Sequence, residues 1–221
     1  MASKAKIKEK TRRAYEKVGT EYDSWYWSKS SRELREGLRK KVIRTIKGSM
    51  PAKKPSILDV GCGTGYLVSD LRELGSYTGV DFASEMINVC KTRFPKERFK
   101  LGDADDLPFK ENSFDLIVCF WTFHHFTNPE RVMSEFRRVL KPGGKIIIAT
   151  FRKASWNPLV WLADAVSSGW YGFRTYRYDK SDFEALMKPF NNLKLEIFPP
   201  MDLRSFWSRI GIAFIIATGE K

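Results

Sequence analysis

The chain has 221 residues, a length that suits one α/β domain with an appended segment. Its three cysteines are an odd number without a C-x-x-C pair, which argues against a disulfide framework or a zinc site and for a reducing compartment, here the cytoplasm. No apolar run approaches the ~20 residues of a membrane-spanning helix, and the start of the chain has no signal-peptide core.

The formal net charge of +13 is concentrated at the start of the chain, where residues 1–55 hold 17 Lys and Arg against 6 Asp and Glu. Within this basic appendage Leu34, Leu38, Val42 and Ile46 recur every four residues, which predicts an amphipathic helix packed on a sheet edge with its cations in solvent. The same cations could instead contact nucleic acid or an anionic membrane surface. The sequence leaves these alternatives open.

A glycine loop opens the main domain, residues 56–221. Ile57–Val60 is a short apolar run typical of a buried parallel strand, and Gly61–Gly65, G-C-G-T-G, forms a tight turn before a helical pattern. Glycines allow unusual backbone angles and remove side chains that would keep a ligand away. Since the loop leads into a helix N-terminus, we expect an acceptor-rich or anionic cofactor to lie across it.

Two carboxylates flank this loop. Asp59 precedes the first glycine by two residues, and Asp81 closes the next predicted strand, Tyr77–Val80. A carboxylate about 20 residues after such a loop is where a doubly wound sheet accepts hydrogen bonds from ribose hydroxyls. NAD enzymes share this feature, so a dehydrogenase remains an alternative at this point.

Strands and helices alternate up to Thr150, which predicts a parallel three-layer sheet with right-handed crossovers. The predicted elements are a helix over Ala83–Phe94 with Ser84 near its start, strands at Phe99–Leu101 and Phe114–Phe120, a helix over Arg131–Leu140, a turn at Lys141–Gly144 and a strand at Lys145–Thr150.

The segment after the fourth strand contains both histidines of the chain, His124 and His125. The end of this strand should lie beside the glycine loop, at the switch point where doubly wound sheets bind ligands. One histidine could act as a general base or as a hydrogen-bond partner of the substrate. The alternative is that they only orient the next helix, and without a third ligand we expect no metal site.

Residues 151–178 interrupt the alternation with many aromatic and basic side chains. Such an insertion after the fifth strand predicts a cap over the open side of the cofactor. The alternative is that its aromatic side chains form a small separate core that packs the appendage. Beyond it we expect a helix over Asp179–Phe190 with Ser181 as its N-cap, strands at Leu193–Phe198 and Ile210–Thr218, and a loop that carries Arg204, Phe206 and Trp207 towards the pocket rim.

Five motifs in this order resemble those of class I S-adenosylmethionine (SAM) dependent methyltransferases. They are D59-V-G-C-G-T-G65, V80-D81, G102-D-A-D-D-L-P-F109, F114-D-L-I-V118 and L140-K-P-G-G144. The chain is most similar to the small-molecule branch typified by ubiquinone and menaquinone biosynthesis C-methyltransferases. The resemblance covers roughly residues 57–148 and implies a Rossmann-like seven-stranded sheet in the order 3-2-1-4-5-7-6, with strand 7 antiparallel.

The resemblance also implies the cofactor SAM and the residues that bind it. Asp103 would accept a hydrogen bond from the adenine amine, which a carboxylate suits because it is purely an acceptor. Tyr22 belongs to a Tyr-Asp signature near the start of many small-molecule methyltransferases, where the preceding helix folds over the cofactor. The cofactor-binding residues expected are Asp59, Gly61, Cys62, Gly63, Gly65, Asp81, Phe82, Asp103, Ala104 and Phe120, and the catalytic candidates are His124, His125 and Tyr22.

These motifs favour methyl transfer by in-line displacement to a small, lipid-like or quinone-like acceptor. An RNA (tRNA or rRNA) methyltransferase is the alternative, because the appendage is basic, although neither an N-P-P-Y-type sequence nor a P-C pair is present. A non-catalytic SAM-binding regulator is an alternative of another class. The motifs specify neither the acceptor atom nor the oligomeric state.

Overall fold

The computed structural model describes residues 3–19, 29–50, 53–153, 175–198 and 214–221. The helices in these ranges are α1 (Lys4–Val18), α2 (Lys29–Gly48), α3 (Val68–Leu74), α4 (Ser84–Arg93), α5 (Pro129–Val139) and α6 (Lys180–Leu186). The strands are β1 (Ser56–Val60), β2 (Ser76–Asp81), β3 (Arg98–Leu101), β4 (Phe114–Phe120), β5 (Leu140–Phe151), β6 (Asn191–Phe198) and β7 (Phe214–Glu220), and a 3-10 turn covers Phe123–His125.

The seven strands form one sheet in the order β3-β2-β1-β4-β5-β7-β6. β1 to β5 pair in parallel, whereas β7 runs antiparallel to both β5 and β6. The predicted fold class and strand order are therefore confirmed. The order reverses between β1 and β4, which places the expected ligand crevice at the carboxyl ends of these two strands.

Neighbouring residues of the central strands pack into cores on opposite faces of the sheet. In β1, Ile57 joins the core under α2 and α3, while Leu58 joins the core under α5 and α6. In β4, Val118 joins the core under α2 and α3, and Cys119 joins the core under α5 and α6. Both faces are apolar because helices cover both, which explains why these strands read as continuous hydrophobic runs.

Helix α2 buries the aliphatic stripe predicted from the four-residue spacing. Leu38, Val42 and Ile46 are fully buried, and Leu34 is nearly so. The helix packs on the core of the central strands and also reaches the sheet edge that we expected, where Lys41 pairs with Glu196 of the edge strand β6. A stripe four aliphatic residues long needs a broad apolar surface, and the central strands offer one.

Two local predictions differ from the structure. Asp179, not Ser181, caps α6: its carboxylate accepts from the Asp182 amide at 3.0 Å, and the Asp182 carboxylate accepts from the Asp179 amide in return. Lys141–Gly144, predicted as a turn, lies within β5. The segment bulges there, since Leu140 pairs with Phe114, Lys145 pairs with Leu116 and Gly143 has φ +73°. The Gly143 amide donates to the Lys221 carbonyl, and the Gly144 carbonyl accepts from the Lys221 amide.

Several predicted features lie outside the described residues. They are Tyr22, most of the predicted cap (residues 154–174), and the pocket-rim residues Arg204, Phe206 and Trp207.

Candidate active site

A cavity lies at the carboxyl ends of β1, β2, β3 and β4, where the topology predicts it. Its floor is the glycine loop, and its walls are the residues that follow β2, β3 and β4. Side chains of α1 and α2 cover it. Among the residues that line this central cavity are Lys8, Thr11, Tyr15, Arg35, Gly61–Thr64, Asp81, Phe82, Asp103, Ala104, Phe120, Trp121 and His125.

All three glycines of the loop have positive φ, and Gly61 and Gly63 have it for different reasons. Gly61, at φ +72°, donates its amide to the Val80 carbonyl at 2.8 Å, and a Cβ there would lie 2.1 Å from the Thr122 side chain. Gly63, at φ +53°, has no heavy atom of the described residues within 4 Å of an ideal Cβ. Gly61 therefore allows close packing, while Gly63 leaves the cavity floor open.

Asp81 joins the glycine loop to the end of β2. Its carboxylate accepts the amide hydrogens of Gly63 at 2.9 Å and Ala83 at 3.0 Å. Burial raises the pKa of this carboxyl, while the backbone donors lower it. Since each carboxylate oxygen accepts more than one hydrogen bond, the cavity side of Asp81 can still take ribose hydroxyls.

Asp103 follows β3 and is held by two partners. Its Oδ1 accepts the Asp105 amide at 3.1 Å, and its Oδ2 lies 2.5 Å from Nζ of Lys8 in α1. Lys8 also pairs with Asp105 at 2.6 Å. Burial opposes the lysine charge, but the hydrogen bonds to both carboxylates outweigh burial and raise its pKa. These ion pairs tie α1 to the end of the cavity where the adenine ring is expected.

His125 faces the cavity, whereas His124 lies in the core. The Tyr15 hydroxyl of α1 is 2.7 Å from His125 Nε2, and the two rings meet edge to face. His124 is 1% exposed, and its Nδ1 is 3.4 Å from the Thr150 hydroxyl. Burial, with the nearby His125 and Arg177, lowers the pKa of His124 well below its usual range, so this ring is neutral near pH 7.

Asp59 and Gly65 do not line the cavity. Asp59 accepts the Tyr77 hydroxyl at 3.0 Å, and burial raises its pKa to about 7. A Cβ on Gly65 would meet the Phe94 ring at 2.7 Å, so this position serves packing. Cys62 lines the cavity as a thiol, because hydrogen bonding with Cys90 and burial raise its pKa.

The sequence patterns did not indicate Lys8, Tyr15 or Arg35, which cover the cavity from α1 and α2. The residues of α1 that line it, Lys8, Thr11 and Tyr15, are three and four positions apart. This spacing places them on one helix face and is the signal that could have identified them. Arg35 follows Leu34 and carries no comparable signal.

Comparisons with known proteins agree with this geometry. A family model described as a methyltransferase domain matches residues 58–148. This part of the chain is thus similar to a methyltransferase domain, and the strand order is the one that the resemblance to class I SAM-dependent methyltransferases implies. The matched range contains the glycine loop, Asp81, Asp103 and both histidines.

Two curated relatives of this chain are named demethylmenaquinone methyltransferase. The protein from Thermotoga maritima is 33% identical over 150 residues, which cover 65% of this chain and 62% of the relative. The protein from Renibacterium salmoninarum is 34% identical over 121 residues, which cover 54% of this chain and 50% of the relative. The chain thus spans between half and two thirds of the length of these relatives.

A solved structure from Thermotoga maritima shares the fold. It is described as a SAM-dependent methyltransferase and possible histamine N-methyltransferase, superposes with a TM-score of 0.70, and is 21% identical. The match covers 95% of this chain and 99% of that chain. At this identity the likeness establishes the architecture alone.

The central cavity fits SAM in its shape and its polar groups. The open space above Gly63 admits a ligand against the backbone, Asp81 offers acceptors for a ribose, and Asp103 offers one for an adenine amine. Within the described ranges, no cluster of His, Cys, Asp and Glu is arranged to hold a metal ion, and no helix is long and apolar enough to cross a bilayer.

Proposed function

We propose that the chain is a SAM-dependent methyltransferase whose acceptor is a small, quinone-like or otherwise lipid-like molecule. The observation that carries this proposal is the convergence of the glycine loop, Asp81 and Asp103 on one cavity whose far wall is aromatic at Phe120 and Trp121. The names of the curated relatives support a quinone-like acceptor.

SAM, when bound, supplies an electrophilic methyl group on a sulfonium. The protein therefore needs mainly to align the acceptor and exclude water. In this proposal Asp81 and Asp103 fix the adenosyl part, the loop at Gly63 supports it from below, and Tyr15 closes the cavity between Phe82 and His125. The ring centroids of Tyr15 and Phe82 are 6.4 Å apart. The Tyr15 side chain therefore lies between the cofactor end, at Phe82, and the acceptor end, at His125.

Among the residues that the structure describes, His125 is the one best placed to remove a proton from the acceptor. Carbon nucleophiles of the quinol type react as phenolates or enolates, and many oxygen nucleophiles must also lose a proton. His125 faces the cavity, and its Nε2 is positioned by the Tyr15 hydroxyl at 2.7 Å. His124 is neutral and buried behind it, so we assign it an orienting role.

We also propose that the protein works in a reducing compartment, the cytoplasm. Cys62, Cys90 and Cys119 are free, buried thiols. Thiols that remain unpaired are typical of reducing surroundings. RNA as acceptor, and contact with an anionic membrane, stay predictions from the basic appendage.

Calorimetry with S-adenosylhomocysteine and NADH tests the cofactor. We expect S-adenosylhomocysteine to bind and NADH not to bind. Asp81→Asn should weaken binding on the order of ten-fold or more, because it removes a charged acceptor of the ribose hydroxyls. Glu73→Gln, an exposed position on α3, is the control and should bind as the wild type does. Unchanged affinity in Asp81→Asn would overturn the site.

Labelled SAM identifies the acceptor class. The protein is incubated with labelled SAM, total RNA and an organic lipid extract, and the label transferred to the RNA fraction and to the organic fraction is measured separately. We expect label in the organic fraction. Label in RNA would favour the alternative acceptor, and label in neither would favour a SAM-binding regulator.

A further inference from the structure

Helix α1 presents two opposite faces of different character. Lys8, Thr11 and Tyr15 lie on the face that lines the central cavity. Beyond the first two residues of the helix, every exposed position of α1 holds a cation, and these positions are Lys6, Lys10, Arg13 and Lys17. Because an α-helix turns about 100° per residue, the four cations lie within about 60° of one another and about 160° from the centre of the cavity face. We call these four residues the cationic row.

The acids of α1 leave most of the cationic row unneutralised. Glu9 and Glu16 both pair with Arg12, which lies beside the row, and Glu9 also pairs with Arg13 at 2.8 Å. In the described part of the chain, the three lysines of the row form no ion pair. The row therefore presents an excess of positive charge to the solvent, on the outer side of the helix that covers the cavity.

The shape of the cationic row fits a flat anionic surface. From Lys6 to Lys17 it follows one straight helix for about 16 Å. No aromatic side chain within α1 is exposed, whereas surfaces that bind single-stranded nucleic acid combine cations with aromatic rings on which bases stack. Acidic lipid headgroups form a flat negative surface that attracts such clusters of Lys and Arg. A lipid-like acceptor would lie in the same bilayer.

We propose that the cationic row of α1 docks on the anionic headgroups of a lipid bilayer, and so places the cover of the active site against the phase that holds the acceptor. The choice of a bilayer rests on the proposed function. The contact is electrostatic and peripheral, since no large apolar side chain of α1 is exposed. Docking leaves one helix diameter, about 10 Å, between the headgroups and the cavity.

Co-sedimentation with vesicles tests the docking surface in the full chain. One set of vesicles is pure phosphatidylcholine, and the other is a three-to-one mixture of phosphatidylcholine and phosphatidylglycerol. We expect the wild type to bind the mixed vesicles only, and to bind them less as salt is raised. The combined variant Lys6→Gln, Lys10→Gln and Lys17→Gln should bind them on the order of a hundred-fold more weakly, roughly five-fold for each cation removed.

A matched control separates the cationic row from the net charge of the protein. The combined variant Lys40→Gln, Arg44→Gln and Lys47→Gln removes the same number of charges from exposed positions of α2. It should bind the mixed vesicles nearly as the wild type does. Thermal unfolding of both variants shows whether either has a folding defect.

Hydrogen exchange of the wild type locates the contact without any substitution. Mixed vesicles should slow amide exchange in the peptide that covers residues 4–18, because docking holds α1 in its helical form. Pure phosphatidylcholine vesicles should not. The peptide that covers residues 180–186, in α6, is the internal control and should exchange alike with and without vesicles.

The outcomes separate this proposal from the proposed function. If S-adenosylhomocysteine does not bind the wild type, the proposed function itself fails. If it binds, but the wild type does not sediment with the mixed vesicles or the two combined variants lose binding equally, only the docking surface is overturned. If the α1 variant keeps vesicle binding and loses binding to total RNA, the row contacts RNA and the bilayer is wrong.

Discussion

Asp59 and Asp81 are both buried at the ends of neighbouring strands, but their surroundings differ. Asp81 has two backbone amide donors, which favour its carboxylate form. Asp59 has the Tyr77 hydroxyl as its donor, and burial raises its pKa to about 7. Two acids that look equivalent beside the glycine loop therefore have different tasks: Asp81 faces the cavity as an acceptor, and Asp59 lies within the core.

The raised pKa of Asp59 makes stability depend on pH. Its ordinary value is 3.8 and its folded value is about 7, so between these values the folded protein holds a proton that the unfolded chain has released. Folding stability from this group falls as pH rises through that window, by about 2 kcal/mol between pH 5 and pH 7. Above the folded pKa this contribution is constant.

Asp59→Asn should remove this dependence. We expect the variant to gain stability over the wild type as pH increases from 5 to 7, measured by urea unfolding at each pH. Asp106→Asn serves as a comparison, since this acid lies outside the cores and should not change the slope. Parallel curves for Asp59→Asn and the wild type would show that Asp59 is ionised in the folded protein.

Asp81 was expected at the cavity from its place at the end of a strand and Asp103 from the resemblance, and both line it, because the ends of parallel strands converge at one edge of the sheet. Lys8, Tyr15 and Arg35 were not predicted. Their placement depends on how two helices pack above the sheet, and that is decided by contacts distant in sequence. A local sequence pattern predicts which face of a helix or strand is buried, but it does not predict which other element packs against that face.

At the scale of elements, α1 is a cover held mainly by polar contacts. Thr11 is its buried residue, while Lys8 pairs with two carboxylates and Tyr15 contacts His125. Partly exposed ion pairs contribute up to about 1 kcal/mol each, so the cover should open more readily than the sheet.

Lys8→Met should loosen α1. Removing both ion pairs is expected to raise hydrogen exchange of the α1 amides about three- to ten-fold, read by mass spectrometry of the peptide covering residues 4–18. Lys10→Met, an exposed position on the same helix, should leave exchange unchanged. If both variants exchange alike, the ion pairs do not hold the cover.

The bounds of the core elements were predicted from hydrophobic runs and turn residues to within one to three positions at most ends. The errors fell where tertiary contacts override local preference. Lys141–Gly144 contains Pro and two glycines, which favour a turn, and it bulges accordingly, but its hydrogen bonds to Lys221 place it within the bounds of β5. The cap of α6 was assigned to Ser181, although the reciprocal pair Asp179 and Asp182 satisfies more backbone donors.

At the scale of the whole molecule, the charge of the appendage is divided between α1 and α2, and exposed side chains of α2 carry part of it. Lys40, Arg44 and Lys47 lie opposite the buried stripe of this helix. The amphipathic pattern predicted this division, since a packed helix must leave its charged face in solvent. The pattern alone does not say what that face contacts.

Reversing these three charges separates the acceptor classes. Under the proposed function, the combined variant Lys40→Glu, Arg44→Glu and Lys47→Glu should keep its affinity for S-adenosylhomocysteine and its transfer of label to the organic fraction. An RNA acceptor predicts a loss of transfer relative to the wild type that is largest at low salt and shrinks as salt is raised, because the variant makes fewer of the phosphate contacts that salt weakens. Counting both fractions at two salt concentrations measures this.

The span of Tyr15 from Phe82 to His125 has a kinetic consequence. Helix α1 covers the cofactor end of the cavity, at Phe82, and the acceptor end, at His125. It therefore cannot open over one end without also opening over the other. Under the proposed function, the cofactor lies on the glycine loop, so it must bind before the acceptor and dissociate after the methylated product. Steady-state analysis should therefore show an ordered sequential scheme, in which the spent cofactor is the last product to leave.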